Sequence, residues 1–371
     1  MSKKVTYIIS DIDRALAFEW IATHVDLQRI SLSFILLNPK DSALSRFLLD
    51  RKIPVQTIQC RGKKDWISAF LKLYVTLNKS KPDIIHCHLQ QACVLGLFTA
   101  KLAGIKTRIY TRHHSSLHHV YFPKGVYWDK WFKKIATRII AISQPVKNIL
   151  TEWENVSEEK IVLIPHGFLF ETFKKVDNSA IVTLKQKYEL ANAQPIVGVI
   201  SRFTEWKGVQ FIIPAFQKLL TDFPNAVLML FNANGDYEKE IKALLAKLPE
   251  KRFRTISFDP MIASAYHLFN IFVHTPIDEH SEAFGQVYIE AMVAGVPMIA
   301  TKSGIANDIL VHQHNAWVVD YKNSDSIYCG MKEVLTNNTL RQQLIDNGKI
   351  TAEDYSLDKM IEALTKLYES N

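Results

Sequence analysis

At 371 residues, 48% apolar and 22% charged, the chain is long for one hydrophobic core and ordinary in composition for a folded protein. No apolar run approaches the roughly 20 residues that span a bilayer, and Cys60, Cys87, Cys93 and Cys329 form no C-x-x-C pair, which excludes transmembrane, disulfide-framework and thiolate-metal classes. The net charge of +8 is unevenly spread: residues 1–150 hold 24 Lys and Arg against 9 Asp and Glu, while the rest is acidic by 7, so the first half is expected to face something anionic.

Met1-Ser2-Lys3-Lys4-Val5 enters a strand-like run without an apolar signal core, which predicts a cytoplasmic protein. Short β-rich runs follow at Val5–Ser10, Ser31–Leu37, Pro54–Gln59, Asp83–Cys87, Arg108–Thr111 and Ile139–Ile142. Helix-patterned segments such as Ala15–Val25, Trp66–Lys79 and Ala92–Ala103 separate them. The span 168–194 is polar and weakly patterned and reads as a linker. The alternation resumes at Pro195–Ser201, Ala226–Phe231, Thr255–Phe258, Ile271–His274 and Pro297–Ala300, with helices at Val209–Phe223, Tyr237–Leu248 and Val287–Ala294. Such alternation predicts an α/β chain with parallel sheets covered on both faces, binding ligands outside the strands' carboxyl ends. Two doubly wound domains are expected, 1–167 and 195–354, with a C-terminal helix within 355–371 joining the first.

Several constellations could carry chemistry. His86 and His88 share a strand face and precede Thr111-Arg112-His113-His114. Zinc ligation would require a defined set of three or four ligands, and no spacing among His86, His88, His113, His114, His118 and His119 fixes one; no metal is expected. From Tyr121 to Ile135 aromatic residues and lysines interleave: Trp128 and Trp131 lie on one helical stripe, with Lys130, Lys133 and Lys134 mostly off it. This pattern suits either an interfacial helix on an anionic membrane or a helix packed on the sheet. In Ser201-Arg202-Phe-Thr-Glu-Trp-Lys207-Gly208 two cations follow a strand end, where they would stabilise an anionic leaving group. In Glu282-Ala-Phe284-Gly285-Gln286-Val-Tyr-Ile-Glu290 a glycine turns the chain into a helix whose first amides form an anion site. The two carboxylates can accept bidentate hydrogen bonds from vicinal hydroxyls.

The stretch Glu282–Thr301, with its Ala-Met-x-Ala-Gly-x-Pro-x-Ile-Ala-Thr continuation, resembles the E-x7-E signature of retaining GT-B glycosyltransferases of family 4, the glycosyl transferases group 1. Arg202-x4-Lys207-Gly208 is similar to the family's G-R-x4-K-G, with Ser201 in place of glycine, and the segments around His86 and His113 resemble its P-D-V-V-H-x-H and T-x-H. The resemblance is dense over 195–320, looser over 80–167 and faint before residue 60. It implies the GT-B fold, two doubly wound Rossmann-like domains facing a central cleft. The implied activity is metal-independent transfer of a sugar, with retention, from a nucleotide-diphosphate donor to a glycan or lipid-linked acceptor at the cytoplasmic membrane face. No cofactor and no nucleic acid are implied.

By the same resemblance Arg202 and Lys207 hold the diphosphate, Glu282 and His113 the donor sugar, and Glu290 the ribose, with Phe284, Gly285 and Gln286 beside the donor. Ser10-Asp11-Ile-Asp13-Arg14 replaces the family's glycine-rich loop. Asp11, Asp13, Arg14 and His114 are therefore assigned to the acceptor side, with Asp13 also expected to cap a helix starting at Arg14. A nucleotide-sugar epimerase of the same fold is the competing enzyme. A dehydrogenase is disfavoured because no G-x-G-x-x-G follows the first strand.

Overall fold

The computed structural model describes residues 2–174 and 177–370. They form two compact α/β units, the first running to Phe168 and resuming at Tyr355, the second spanning Leu169–Asp354.

The first unit is built on seven parallel strands: β1 (Lys3–Ser10), β2 (Ile30–Asn38), β3 (Val55–Gln59), β4 (Ile84–His88), β5 (Thr107–Arg112), β6 (Arg138–Ala141) and β7 (Ile161–Leu163). Their order is β3-β2-β1-β4-β5-β6-β7, so the winding reverses between β1 and β4, where such sheets bind ligands. Central strands buried on both faces lack the polar alternation of a half-exposed sheet: in β1 Val5, Tyr7, Ile8 and Ile9 are all fully buried, whereas the edge strand β3 is half-exposed. The C-terminal helix Leu357–Glu369 returns to this sheet. There Tyr368 bonds Tyr7 hydroxyl to hydroxyl at 2.6 Å and His86 Nδ1 at 2.8 Å, and His86 Nε2 meets Thr111 Oγ1 at 2.8 Å. His86 is thus a satisfied core histidine.

The second unit carries β8 (Ile196–Ile200), β9 (Val227–Phe231), β10 (Phe253–Ile256), β11 (Ile271–His274), β12 (Met298–Ala300) and β13 (Trp317–Val318) in the order β10-β9-β8-β11-β12-β13. The reversal falls between β8 and β11. Its core joins Val197, Val199, Leu228 and Leu230 to the helix Val209–Asp222 through Ile212, Ile213 and Phe216.

The span 168–194 is not a bare linker. Glu171–Lys174 and Asn178–Lys187 are helical, and Lys187 and Tyr188 both bond the buried carboxylate of Asp259. Lys175 and Val176 within the span lie outside the described residues. Phe173, Leu184, Tyr188 and Leu190 are buried but widely spaced, so the polar residues between them concealed the packing. Strands β7 and β13, only 3 and 2 residues long, were also too short to give a periodic signal.

Candidate active site

In the second unit three loops converge at the carboxyl ends of β8, β11 and β12. The loop after β8 holds Arg202 and the turn Glu205–Lys207, closed by Gly208 in the left-handed region at φ 72°. A Cβ at Gly208 would lie 1.8 Å from the Thr275 carbonyl, so only glycine lets this loop approach the one after β11. Ile277 N–H donates to the Trp206 carbonyl at 3.1 Å across that approach. Glu282 N–H donates to Ser303 Oγ at 3.0 Å, and Gly304 N–H to the Glu279 carbonyl at 3.1 Å, which ties in the loop after β12.

Glu282 is buried, and its Oε1 receives both the Lys207 ammonium and His274 Nε2, the latter at 2.9 Å. Burial pushes this carboxyl up, but Lys207 and His274 outweigh it and hold the group at about 2. Glu282 is therefore an anion at neutral pH with a cation beside it. Gly285, at φ 84°, turns the chain into the helix Gln286–Ala294. On that helix Glu290 accepts from the Tyr266 hydroxyl at 2.7 Å, and burial raises its carboxyl pKa. Arg202 is exposed, and its guanidinium makes no hydrogen bond or ion pair among the described residues. The arrangement offers Arg202, Lys207 and the Glu282 carboxylate at one sheet end, with Glu290 on the helix that follows.

In the first unit His88 ends β4 and bonds His113 Nε2 through Nδ1 at 3.1 Å, and His113 stacks on His166 with centroids 5.7 Å apart. Burial pushes both His88 and His113 well below the usual imidazole range, and neighbouring histidines add to it; both rings are neutral. Below them Arg112 is buried between Asp129 (3.0 Å) and Glu154 (2.7 Å) and donates through Nε to the His114 carbonyl at 3.1 Å. Asp129 Oδ2 also meets His118 Nδ1 at 2.6 Å and His114 Nε2 at 3.3 Å. This buried ion cluster braces the loop that carries His113. The His114, His118 and Asp129 ligand atoms are close enough to hold a cation. The Arg112 guanidinium already occupies Asp129, however, and its fixed charge opposes one.

Residues 181–351 match the family model for glycosyl transferases group 1, and residues 33–168 match that for glycosyltransferase family 4. The chain belongs to this glycosyltransferase family. It is 26% identical over 319 residues to the capsular polysaccharide biosynthesis glycosyltransferase CapM of Staphylococcus aureus, covering 82% of this chain and 81% of that protein. It is 21% identical over 311 residues to the UDP-Gal:alpha-D-GlcNAc-diphosphoundecaprenol alpha-1,3-galactosyltransferase of Escherichia coli, covering 81% and 79%. Among solved structures, Anabaena HepE in complex with UDP and glucose superposes with a TM-score of 0.85 at 21% identity, each chain covered in full. That likeness establishes the GT-B fold.

The glycosyltransferase brings Lys207 and Glu282 together, as the motif spacing implies, and places Glu290 on the helix that follows. Phe284 is buried, so its side chain belongs to the core, whereas Gln286 is exposed. Asp13 does not cap a helix at Arg14. The helix begins at Leu16, with Ala15 before it, and Asp13 Oδ1 accepts from Ala43 N–H at 3.0 Å, holding the start of another helix. Arg14 pairs with Glu19 at 3.1 Å. Asp11 is exposed in the left-handed region at φ 51°. His114 belongs to the Asp129 cluster.

On the helix Gly125–Ile135 the buried stripe is Gly125, Asp129, Phe132 and Ile135 rather than the tryptophans. Trp128 and Trp131 are half-buried against Trp66 (5.8 Å) and Phe98 (5.7 Å) of neighbouring helices. Lys133 turns inward to the Glu154 carbonyl, whereas Lys130 and Lys134 are exposed. The sequence reading missed His274 and Tyr266, partners of Glu282 and Glu290, and the Arg112–Asp129–Glu154 cluster. A histidine ending the strand eight residues before Glu282 was the available signal for His274.

Proposed function

We propose that this glycosyltransferase moves a hexose from a nucleotide-diphosphate donor to a glycan or lipid-linked acceptor, with retention and without a divalent cation. The carrying observation is the Lys207–Glu282–His274 contact beside Arg202 at the carboxyl ends of β8 and β11. As the bond between the anomeric carbon and the diphosphate oxygen breaks, Lys207 and Arg202 take up the charge that develops on the leaving phosphate. Two fixed cations supply what a metal supplies elsewhere. Glu282, held ionised, accepts from donor sugar hydroxyls, and Glu290 accepts from the ribose. His113 is assigned the donor sugar by the family resemblance; its neutral ring can both donate and accept. The acceptor oxygen bonds the anomeric carbon from the leaving-group side and passes its proton to a departing phosphate oxygen. No carboxylate is marked as a base for attack from the opposite face.

UDP-hexoses are the first donors to test, because HepE binds UDP and glucose and the Escherichia coli relative takes UDP-galactose. The purified protein is incubated with UDP-, GDP- and ADP-hexoses and a short soluble glycan acceptor, and the new linkage is read by NMR. An anomer matching the donor is expected. An inverted anomer overturns retention, and an epimerised nucleotide sugar with no acceptor product overturns transfer.

A further inference from the structure

The helix Trp66–Ser80 buries Ala69, Leu73 and Leu77 and presents an apolar row on its opposite side. Ile67, Leu71 and Val75 follow one another at single-turn spacing and are 78%, 56% and 66% exposed, with Tyr74 beside them. Single exposed apolar residues are ordinary, but a row along three turns of one helix is not. The surface continues through Phe70, 5.8 Å from Phe98, to the exposed Phe98 and Leu102 of the helix Gln90–Leu102. From there Phe98 reaches Trp131 of the helix Gly125–Ile135.

Charge decides what fits it. Lys72, Lys79, Lys101, Lys130 and Lys134 of these three helices are exposed, while their one carboxylate, Asp129, is fully buried. Where the first two helices end, a recess of about 450 Å³ is lined by Lys3, Lys81 and Lys106 and one carboxylate, Asp83, which accepts from Lys4 N–H. No helix among the described residues is long and apolar enough to cross a membrane. An apolar row with a predominantly cationic rim, lysines outnumbering the single exposed Asp83, matches a surface that is anionic outside and hydrocarbon beneath.

We propose that this face of the first unit docks on an anionic lipid bilayer, with Ile67, Leu71 and Val75 entering the acyl boundary and the lysines lying at the headgroups. The docking surface is thereby centred on Trp66–Ser80, with Gly125–Ile135 at its margin. As an account of how a lipid-linked acceptor is met, it rests on the proposed transferase reading; the surface itself does not.

The test is partition of the full chain onto vesicles of phosphatidylglycerol and phosphatidylcholine, against phosphatidylcholine alone, for wild type, the triple variant Ile67→Ser/Leu71→Ser/Val75→Ser, and Val182→Ser as an exposed apolar control outside the face. Wild type and the control are expected to bind anionic vesicles and release at high salt. The triple variant is expected to bind at least about tenfold more weakly, with unchanged turnover on a soluble acceptor. Equal partition of wild type and triple variant overturns the proposal. So does dimerisation of wild type but not the triple variant in sedimentation velocity without vesicle binding by either, which would assign the face to a second copy. Absence of turnover by wild type on every soluble acceptor overturns the transferase reading while leaving the vesicle result intact.

Discussion

Lys207 closes onto Glu282 through the carboxylate oxygen that also receives His274 Nε2. The pair joins the loop after β8 to the loop after β11, so the residue proposed to steady the leaving group and the one proposed to hold the sugar are set by a single contact. The ammonium has three donors, and one on Glu282 leaves two for phosphate oxygens.

Lys207→Ala and Arg202→Ala are each expected to lower kcat by about 10²–10³, the usual cost of removing one positioned charge donor. Lys207→Ala also removes a cation from Glu282, so its carboxyl pKa should rise. Turnover is measured with saturating donor, and near-wild-type rates in both variants would remove the diphosphate assignment.

Transfer is expected to persist in excess EDTA. Side-chain cations neutralise the diphosphate in the proposed mechanism, so no ion need be supplied. Activity abolished by EDTA and restored by manganese would return Asp11 and Asp13, or the His114–His118–Asp129 group, to consideration as ligands.

The first unit should lose stability as pH falls from neutrality. Burial lowers the His86 pKa to about 3 and those of His114 and His166 to about 4, with His88 and His113 also well below their ordinary value. In the unfolded chain each takes a proton near pH 6.5. Below that pH the unfolded state binds more protons, so stability is full above about 6.5 and declines toward the folded values, by up to about 1.4 kcal/mol per pH unit for each histidine. Glu282 has the opposite chemistry but the same direction. Its depressed carboxyl contributes stability above its unfolded pKa, lost only as pH falls toward about 2. Calorimetry between pH 7.5 and 5.5 should show the transition temperature falling, with a shallower slope in His86→Gln. A flat profile would contradict the neutral buried histidines.

Arg112→Met should destabilise the first unit by about 3–5 kcal/mol, because it removes the guanidinium shared by the buried carboxylates of Asp129 and Glu154 and leaves them only histidine partners. Asp129→Asn should cost less, since Glu154 still pairs with Arg112. Urea denaturation of both variants gives the comparison, and an equal or inverted ranking would deny Arg112 its bridging role.

Much of this protein was decided by the sequence alone. Buried parallel strands need continuous apolar runs, so the alternation of β and α showed the doubly wound plan directly. Glu282, Glu290, Arg202 and Lys207 were singled out by their resemblance to the family's E-x7-E and G-R-x4-K-G motifs, and the structure sets them after a strand end or on the helix that follows one. What only the tertiary structure decided are contacts between distant segments. Asp13 holds Ala43 rather than its own helix; residue 368 completes the bonding of His86; Arg112 finds Asp129 and Glu154; and 169–194 packs through a few widely spaced apolar residues and the bonds of Lys187 and Tyr188 to Asp259. The aromatic helix, whose pattern suited either a membrane interface or packing on the sheet, depends on the same kind of distant contact. Its tryptophans meet neighbours on other helices and Lys133 meets the Glu154 carbonyl in a turn, while the plainer helix Trp66–Ser80 keeps its apolar row exposed. Periodicity reports that a helix has an apolar face, but whether that face is covered depends on the elements packed around it, and these are far away in the chain.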